Sequence, residues 1–206
     1  DSEFSFEPYG SALLNELHSF GLDASFQMKE KSPNTTIESA FLKTNTLHTM
    51  MIIEVPERLT GGVYPQALLK VKLEIDINPP SDFETEMKYV FSPVQFAVRA
   101  YNLASLFAGK IHALLFRKWK NRVKGRDWYD FAWYASRYPV LNLAHLEARM
   151  RHSGDFNLQK HLTKSILMEY LVDAIDALDI SQAKEEVTPF VNNPTILNLW
   201  SKDYFI

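Results

Sequence analysis

Residues 103–134 read LASLFAGKIHALLFRKWKNRVKGRDWYDFAWY, and the architecture of the second half turns on how this stretch divides. At 100° per residue, 103–118 forms a helix on which Leu103, Leu106, Phe107, Ile111 and Leu114 make one apolar arc. Lys110 falls in the middle of that arc, Arg117 lies two turns further along the same line, and His112 points to the opposite side. A cationic segment follows, with Arg117, Lys118, Lys120, Arg122, Lys124 and Arg126 interrupted by Trp119 and Gly125. A second helical pattern begins at Asp127, where Asp127 and Asp130 share a face with Phe131 and Tyr134. Two helices joined by a basic loop thus each carry charge onto an apolar face. A buried charge without a partner is too costly to keep. Two compatible readings follow. In one, Lys110 and Arg117 pair with Asp127 and Asp130 as a structural ion-pair cluster. In the other, the same groups line a cleft for a phosphate-bearing ligand and stay charge-balanced until it arrives.

Upstream of this stretch the pattern is β-rich. Residues 68–78, LLKVKLEIDIN, alternate as a strand, with Leu73, Ile75 and Ile77 on one side and Lys70, Lys72, Glu74 and Asp76 on the other. Glu74 and Asp76 then sit roughly 7 Å apart on one strand face. That is close enough to approach one divalent cation or flank one phosphate, and an exposed, solvated face is the alternative. Further strands are expected at 22–30, 35–43, 46–55, 84–91 and 95–100, after an amphipathic helix at 7–21 closed by Gly21. Gly61-Gly62 reads as a turn, because neither Lys-Ser/Thr nor a helix start follows. Downstream the chain is helical, with helices expected at 126–137, 143–152 (N-capped by Asn142), 158–178, 181–190 and 194–201. Met168, Leu171, Ile175 and Leu178 form a packing stripe, and the closing aromatics Trp200 to Ile206 are expected to dock on the helices. The composition changes near 102. We therefore expect an α+β chain, with a β-rich part at 1–102 and a helical domain at 103–206.

Two hundred and six residues are ample for a core, and a net charge of −3 gives no global sign of nucleic-acid binding. The positive charge is local, and a cationic patch on an acidic protein steers a polyanion to one place. The chain has no Cys, which excludes disulfides, thiolate metal sites and a Cys nucleophile. Its six His residues are scattered, and neither an apolar run of about 18 residues nor a signal peptide is present. The sequence starts at Asp1 without an initiator Met, as a fragment of a longer protein would.

At KLEIDINPP (72–80) and LFAGKIHALLFRKWKNRVKGRDWYDFAWY (106–134) the chain resembles the AbiEii/AbiGii-type nucleotidyltransferase toxins, members of the DNA polymerase β-like nucleotidyltransferase superfamily. FEPYGSALLNELHSFGLDA, AFLKTNTL and LNLWSKDYF extend the resemblance over nearly the whole chain. It implies a nucleotidyltransferase-like mixed β-sheet followed by a C-terminal helical bundle. It implies transfer of a nucleoside monophosphate from an NTP to an acceptor, with Mg²⁺ or Mn²⁺ as cofactor. The implied acceptor is RNA, perhaps at the tRNA acceptor end, and the implied setting is a bacterial cytoplasm with a separately encoded antitoxin.

Residue by residue, Glu74 matches the family's third acidic position, with Asp76 as the fallback, and both would be metal ligands. Lys110 and Arg117 match K-x-x-A-L-x-x-R, and Arg126, Asp127 and Asp130 match R-D-x-x-D. The resemblance thus makes Glu74, Lys110 and Asp127 catalytic and assigns Lys110, Arg117 and Arg126 to the nucleotide phosphates. Asp127 would orient Lys110 or the attacking group, and Asp130 would support it. The segment Lys118, Trp119, Lys120, Arg122 and Lys124 would hold an RNA backbone and stack on a base. The family's Gly-Gly or Gly-Ser turn with its metal-binding Asp-x-Asp pair is missing from the sequence and is expected to lie upstream of Asp1. A non-catalytic nucleotide- or RNA-binding module is the alternative, and a purely structural interaction domain is a third.

Overall fold

A computed structural model describes residues 5–28, 46–54, 68–76, 78–92, 94–117, 124–157 and 159–206. The chain divides into two compact units, residues 1–79 and 80–206.

In the first unit, helix α1 (Glu7–Ser19) carries Pro8 in its first turn, where a missing N–H costs nothing. It stops at Gly21, whose φ of 73° is left-handed, and Gly21 N–H donates to the His18 carbonyl while Leu22 N–H donates to that of Leu17. Strands β1 (Asp23–Met28), β2 (Thr46–Glu54) and β3 (Leu68–Asp76) form an antiparallel sheet in the order β1-β2-β3. Met51 and Ile53 of β2 are its buried side chains among the described residues. On β3 the alternation holds, with Val71, Leu73 and Ile75 half-buried and Lys70, Glu74 and Asp76 exposed. The strand expected at 35–43 and the Gly61-Gly62 turn lie outside the described residues.

The second unit opens with a hairpin, β4 (Thr85–Val90) against β5 (Phe96–Tyr101), antiparallel and separate from the first sheet. It continues through α2 (Leu103–Phe116), α3 (Gly125–Arg137), α4 (Leu143–His152), α5 (Lys164–Asp176), α6 (Ile180–Val187) and α7 (Lys202–Phe205). This is the α+β order expected, strands first and helices after, and every described strand pairing is antiparallel. The division at 79/80 places the hairpin with the helices, upstream of the composition change near 102.

Two asparagines tie the base of the hairpin to the helices. Asn102 caps α2 by accepting from Ser105 N–H at 2.9 Å and donates to Glu84 Oε2 at 2.8 Å. Asn142 caps α4 by accepting from His145 N–H at 3.0 Å and donates to the Asp82 carbonyl at 2.9 Å. Helix α5 begins at Lys164 instead of 158, because Thr163 is its cap and accepts from Ile166 N–H. The residues before it are held outside the helix by Glu147, whose carboxylate accepts from Leu162 N–H and from Arg151, both at 2.6 Å. After α6 the chain tightens into 3₁₀ turns at Thr188–Phe190 and Pro194–Leu199, each with Pro in its first turn.

Two apolar clusters fill the unit. One joins Phe107, Ala108, Ile111, Tyr134, Leu146 and Met150, among others, and the second joins Trp128, Ile175, Ala183, Val187, Trp200 and Phe205. The closing aromatics dock as expected, with Trp128 and Phe205 ring centroids 5.1 Å apart. Leu171, Ile175 and Leu178 pack inward, but Met168 is half-exposed.

Of the arc drawn on α2, Phe107 and Ile111 are buried and Leu103 and Leu114 pack against the core, but the buried side extends beyond that arc. The buried residues are Ser105, Phe107, Ala108, Ile111 and His112, while Leu106 is exposed. The small residues Ser105 and Ala108 add a second buried side, and the Ser105 hydroxyl accepts from Glu84 N–H at 2.9 Å. His112, expected opposite the apolar arc, is in the core, with Nε2 2.9 Å from Ser153 Oγ.

Candidate functional site

Lys110 leaves the core and stands at its margin, 44 % exposed, where its ammonium meets Asp130 Oδ2 of α3 at 2.5 Å. Asp130 is 34 % exposed, so the pair is wet. An ammonium has three N–H donors and Asp130 takes one, which leaves directions for a second anion.

Asp127, one turn before Asp130, is the more enclosed carboxylate. Burial pushes its pKa above the ordinary carboxylate value, nearby Asp130 adds to that, and Arg117, Lys110 and Lys124 pull it back. The same environment raises Tyr134, first through burial, with Lys110 and Asp130 as its charged neighbours. Lys110, Arg117, Lys124, Asp127 and Asp130 therefore share one charged locus between α2 and α3. That locus brings the end of one sequence motif onto the start of the next.

Backbone proximity sets the position of α3. A Cβ on Gly125 would stand 2.0 Å from the Ala183 carbonyl oxygen and 3.1 Å from Val187 Cβ. Only glycine lets the first turn of α3 press against α6, and Asp127 follows two residues later. Glu186 of α6 completes this junction. It lies 3.8 Å from Lys124 Nζ and 3.6 Å from Arg126 Nε, and it accepts from Arg126 N–H at 3.2 Å. The Arg126 guanidinium lies 4.4 Å over the Phe190 ring. The contacts described for Arg126, expected on the nucleotide phosphates, are thus with Glu186 and Phe190. Sequence reasoning missed Glu186 because nothing in its local pattern points to a partner 60 residues upstream.

Glu74 and Asp76 lie in the first unit, on the exposed face of β3, opposite His48 and Thr46 of β2. Asp76 Oδ1 accepts from Asn78 N–H at 3.1 Å. Two carboxylates on an open face match in kind what a Mg²⁺ ion takes from a protein, one or two carboxylates with water and substrate phosphate filling the rest. Among the described residues no group of three or more His, Cys, Asp or Glu comes together to hold a metal by itself. Lys118, Trp119, Lys120 and Arg122 lie outside the described residues, and Lys124 is placed as given above. Among the described residues no helix is long and apolar enough to cross a membrane.

In comparison with known families, the model of the AbiEii nucleotidyl transferase toxin, type IV toxin–antitoxin system, matches residues 7–203. The chain belongs to the AbiEii nucleotidyltransferase toxin family. Membership in a toxin–antitoxin system implies a cognate antitoxin. No curated protein and no solved structure matches the chain.

Proposed function

We propose that the locus around Lys110 binds the phosphates of an NTP and that the protein transfers the nucleoside monophosphate to RNA, at the acceptor end of a tRNA. The observation that carries this reading is the 2.5 Å contact from Lys110 to Asp130, which joins the K-x-x-A-L-x-x-R and R-D-x-x-D motifs in one place with Asp127 and Arg117 beside them. In the reaction an acceptor hydroxyl oxygen bonds to the α-phosphorus, the bond from that phosphorus to the bridging oxygen breaks, and pyrophosphate leaves. Negative charge shifts to the pyrophosphate, and Lys110 and Arg117 stabilise it there. Asp127, with its raised pKa, orients Lys110 or takes the hydroxyl proton. Asp130 holds the Lys110 ammonium in register. Glu74 and Asp76 would hold Mg²⁺ or Mn²⁺, which activates the hydroxyl and neutralises the departing phosphates when bound. The basic segment 118–124 with Trp119 would carry the RNA backbone.

The test is Lys110→Ala in the full-length protein, assayed with an α-labelled NTP and a tRNA pool. Transfer of label is expected to be lost while circular dichroism and the unfolding midpoint stay at wild-type values. Wild-type incorporation would remove Lys110 from the site. A second reading, nucleotide or RNA binding without transfer, is favoured by the lack of an Asp-x-Asp pair in this sequence. It predicts Lys110-dependent binding with no incorporation by any form of the protein.

A further inference from the structure

The β4–β5 hairpin is a two-stranded sheet, and among the described residues no third strand pairs with either edge. Two strands alone are marginal in water. This pair also carries exposed apolar side chains along its length: Met87, Tyr89, Phe96 and Val98, with Tyr89 67 % exposed. An open apolar edge is a template for further strand pairing.

We propose that β4 pairs antiparallel with β4 of a second copy of this chain, about a twofold axis through Met87. The two hairpins then form one four-stranded sheet across a dimer. Charge complementarity selects the occupant and the register. Side chains alternate, so Glu86 and Lys88 share one face of β4 while Thr85, Met87 and Tyr89 share the other. Lys88 Nζ lies 3.0 Å from Glu86 Oε1 on the same strand, which places both charges on that face. With the axis at Met87, Glu86 stands opposite Lys88 of the second copy, and Lys88 opposite its Glu86. On the other face Met87 meets Met87, and Tyr89 covers Thr85. Opposite charges placed directly across an antiparallel pair stabilise it, and like charges oppose it.

The neighbouring registers lose this match. An axis at Lys88 sets Lys88 against Lys88, and an axis at Glu86 sets Glu86 against Glu86. Strand β5 offers no equivalent, because Arg99 is its only charge. A closed twofold contact also uses one edge per copy and stops, which separates it from open-ended strand aggregation.

The chain has no Cys, so a single engineered thiol reports the register directly. Under mild oxidation Met87→Cys is expected to give a disulfide-linked dimer, since cross-strand Cβ spacing suits the bond. Glu86→Cys and Lys88→Cys are expected to cross-link far less, because each would face a different residue. Sedimentation across a concentration series is expected to show a dimer, weakened at least about tenfold by Glu86→Lys or by Lys88→Glu, each of which turns two attractive pairs repulsive. The double variant Glu86→Lys/Lys88→Glu restores the pairing and is expected to return to within about threefold of wild type. A chain that stays monomeric at every concentration overturns the proposal and leaves the edge to a different partner. A dimer indifferent to the single reversals, a double variant no better than the singles, or stronger cross-linking at 86 or 88 than at 87 overturns it as well.

Discussion

Lys110 and Asp130 form an ion pair that is too exposed to matter much for stability. Half-exposed pairs contribute about 0–1 kcal/mol, since water and salt already screen them. Removing Lys110 is therefore a functional test and leaves the fold almost untouched. His112, two residues away, is the opposite case. It is buried, and its pKa is lowered from 6.5 to about 4, first by burial and then by the Arg149 guanidinium, with Arg117 and His152 adding and Asp155 opposing. The unfolded chain takes up this proton near pH 6.5, and the folded chain takes it up only near pH 4. Stability is thus fully present above pH 6.5 and is lost as pH falls toward 4. The gap corresponds to about 3 kcal/mol. Urea unfolding of the wild type at stepped pH should show that loss, and His112→Gln should flatten the profile across this window by a comparable amount. Unchanged slopes in the variant would assign the acid sensitivity elsewhere.

Among the elements, α3 is the one whose placement depends on a single residue. Gly125→Ala would put a methyl group into the Ala183 carbonyl, with Ala183 and Val187 both fully buried beside it. Relieving that clash means moving the first turn of α3, and overpacking of this kind costs about 1–3 kcal/mol. Urea unfolding should show a loss near the upper end, and because Asp127 and Asp130 ride on the displaced turn, nucleotide affinity should fall with it. A variant as stable as wild type would mean that α3 has slack against α6. Much at this scale was legible in advance. The alternation of 68–76, the Asn142 cap and the Gly21 stop rest on neighbouring residues, so a local pattern shows them. The core face of α2 was legible in part: Phe107 and Ile111 of its apolar arc are buried, while Leu106 is exposed. The burial of Ser105 and His112 was not legible, because their partners, Glu84 and Ser153, lie far along the chain. The start of α5 was obscured in the same way, since Glu147 holds Leu162 from outside the helix. Of the site, the charges on α2 and α3 and their pairing could be anticipated from spacing. The seat of Arg126 on Glu186 and Phe190 could not.

For the molecule as a whole, the two units divide the expected chemistry between them. Carboxylates stand on a strand of the first, and the cations with their acidic partners lie between two helices of the second. The proposed nucleotide-phosphate role of the locus in the second unit can be tested by binding alone, whatever the acceptor is. Lys110→Ala is expected to fold and unfold like wild type while it loses transfer, a separation that a purely structural ion-pair cluster does not produce. The most direct measurement is calorimetry of the four NTPs with this chain and with its Lys110→Ala variant, each with and without Mg²⁺. At least one NTP is expected to bind the wild type, and the variant is expected to bind it roughly 10- to 100-fold more weakly, the range for losing a charge-assisted hydrogen bond. Binding that survives unchanged in Lys110→Ala, or no binding of any NTP to the wild type, would contradict the assignment of the Lys110 locus to nucleotide phosphate.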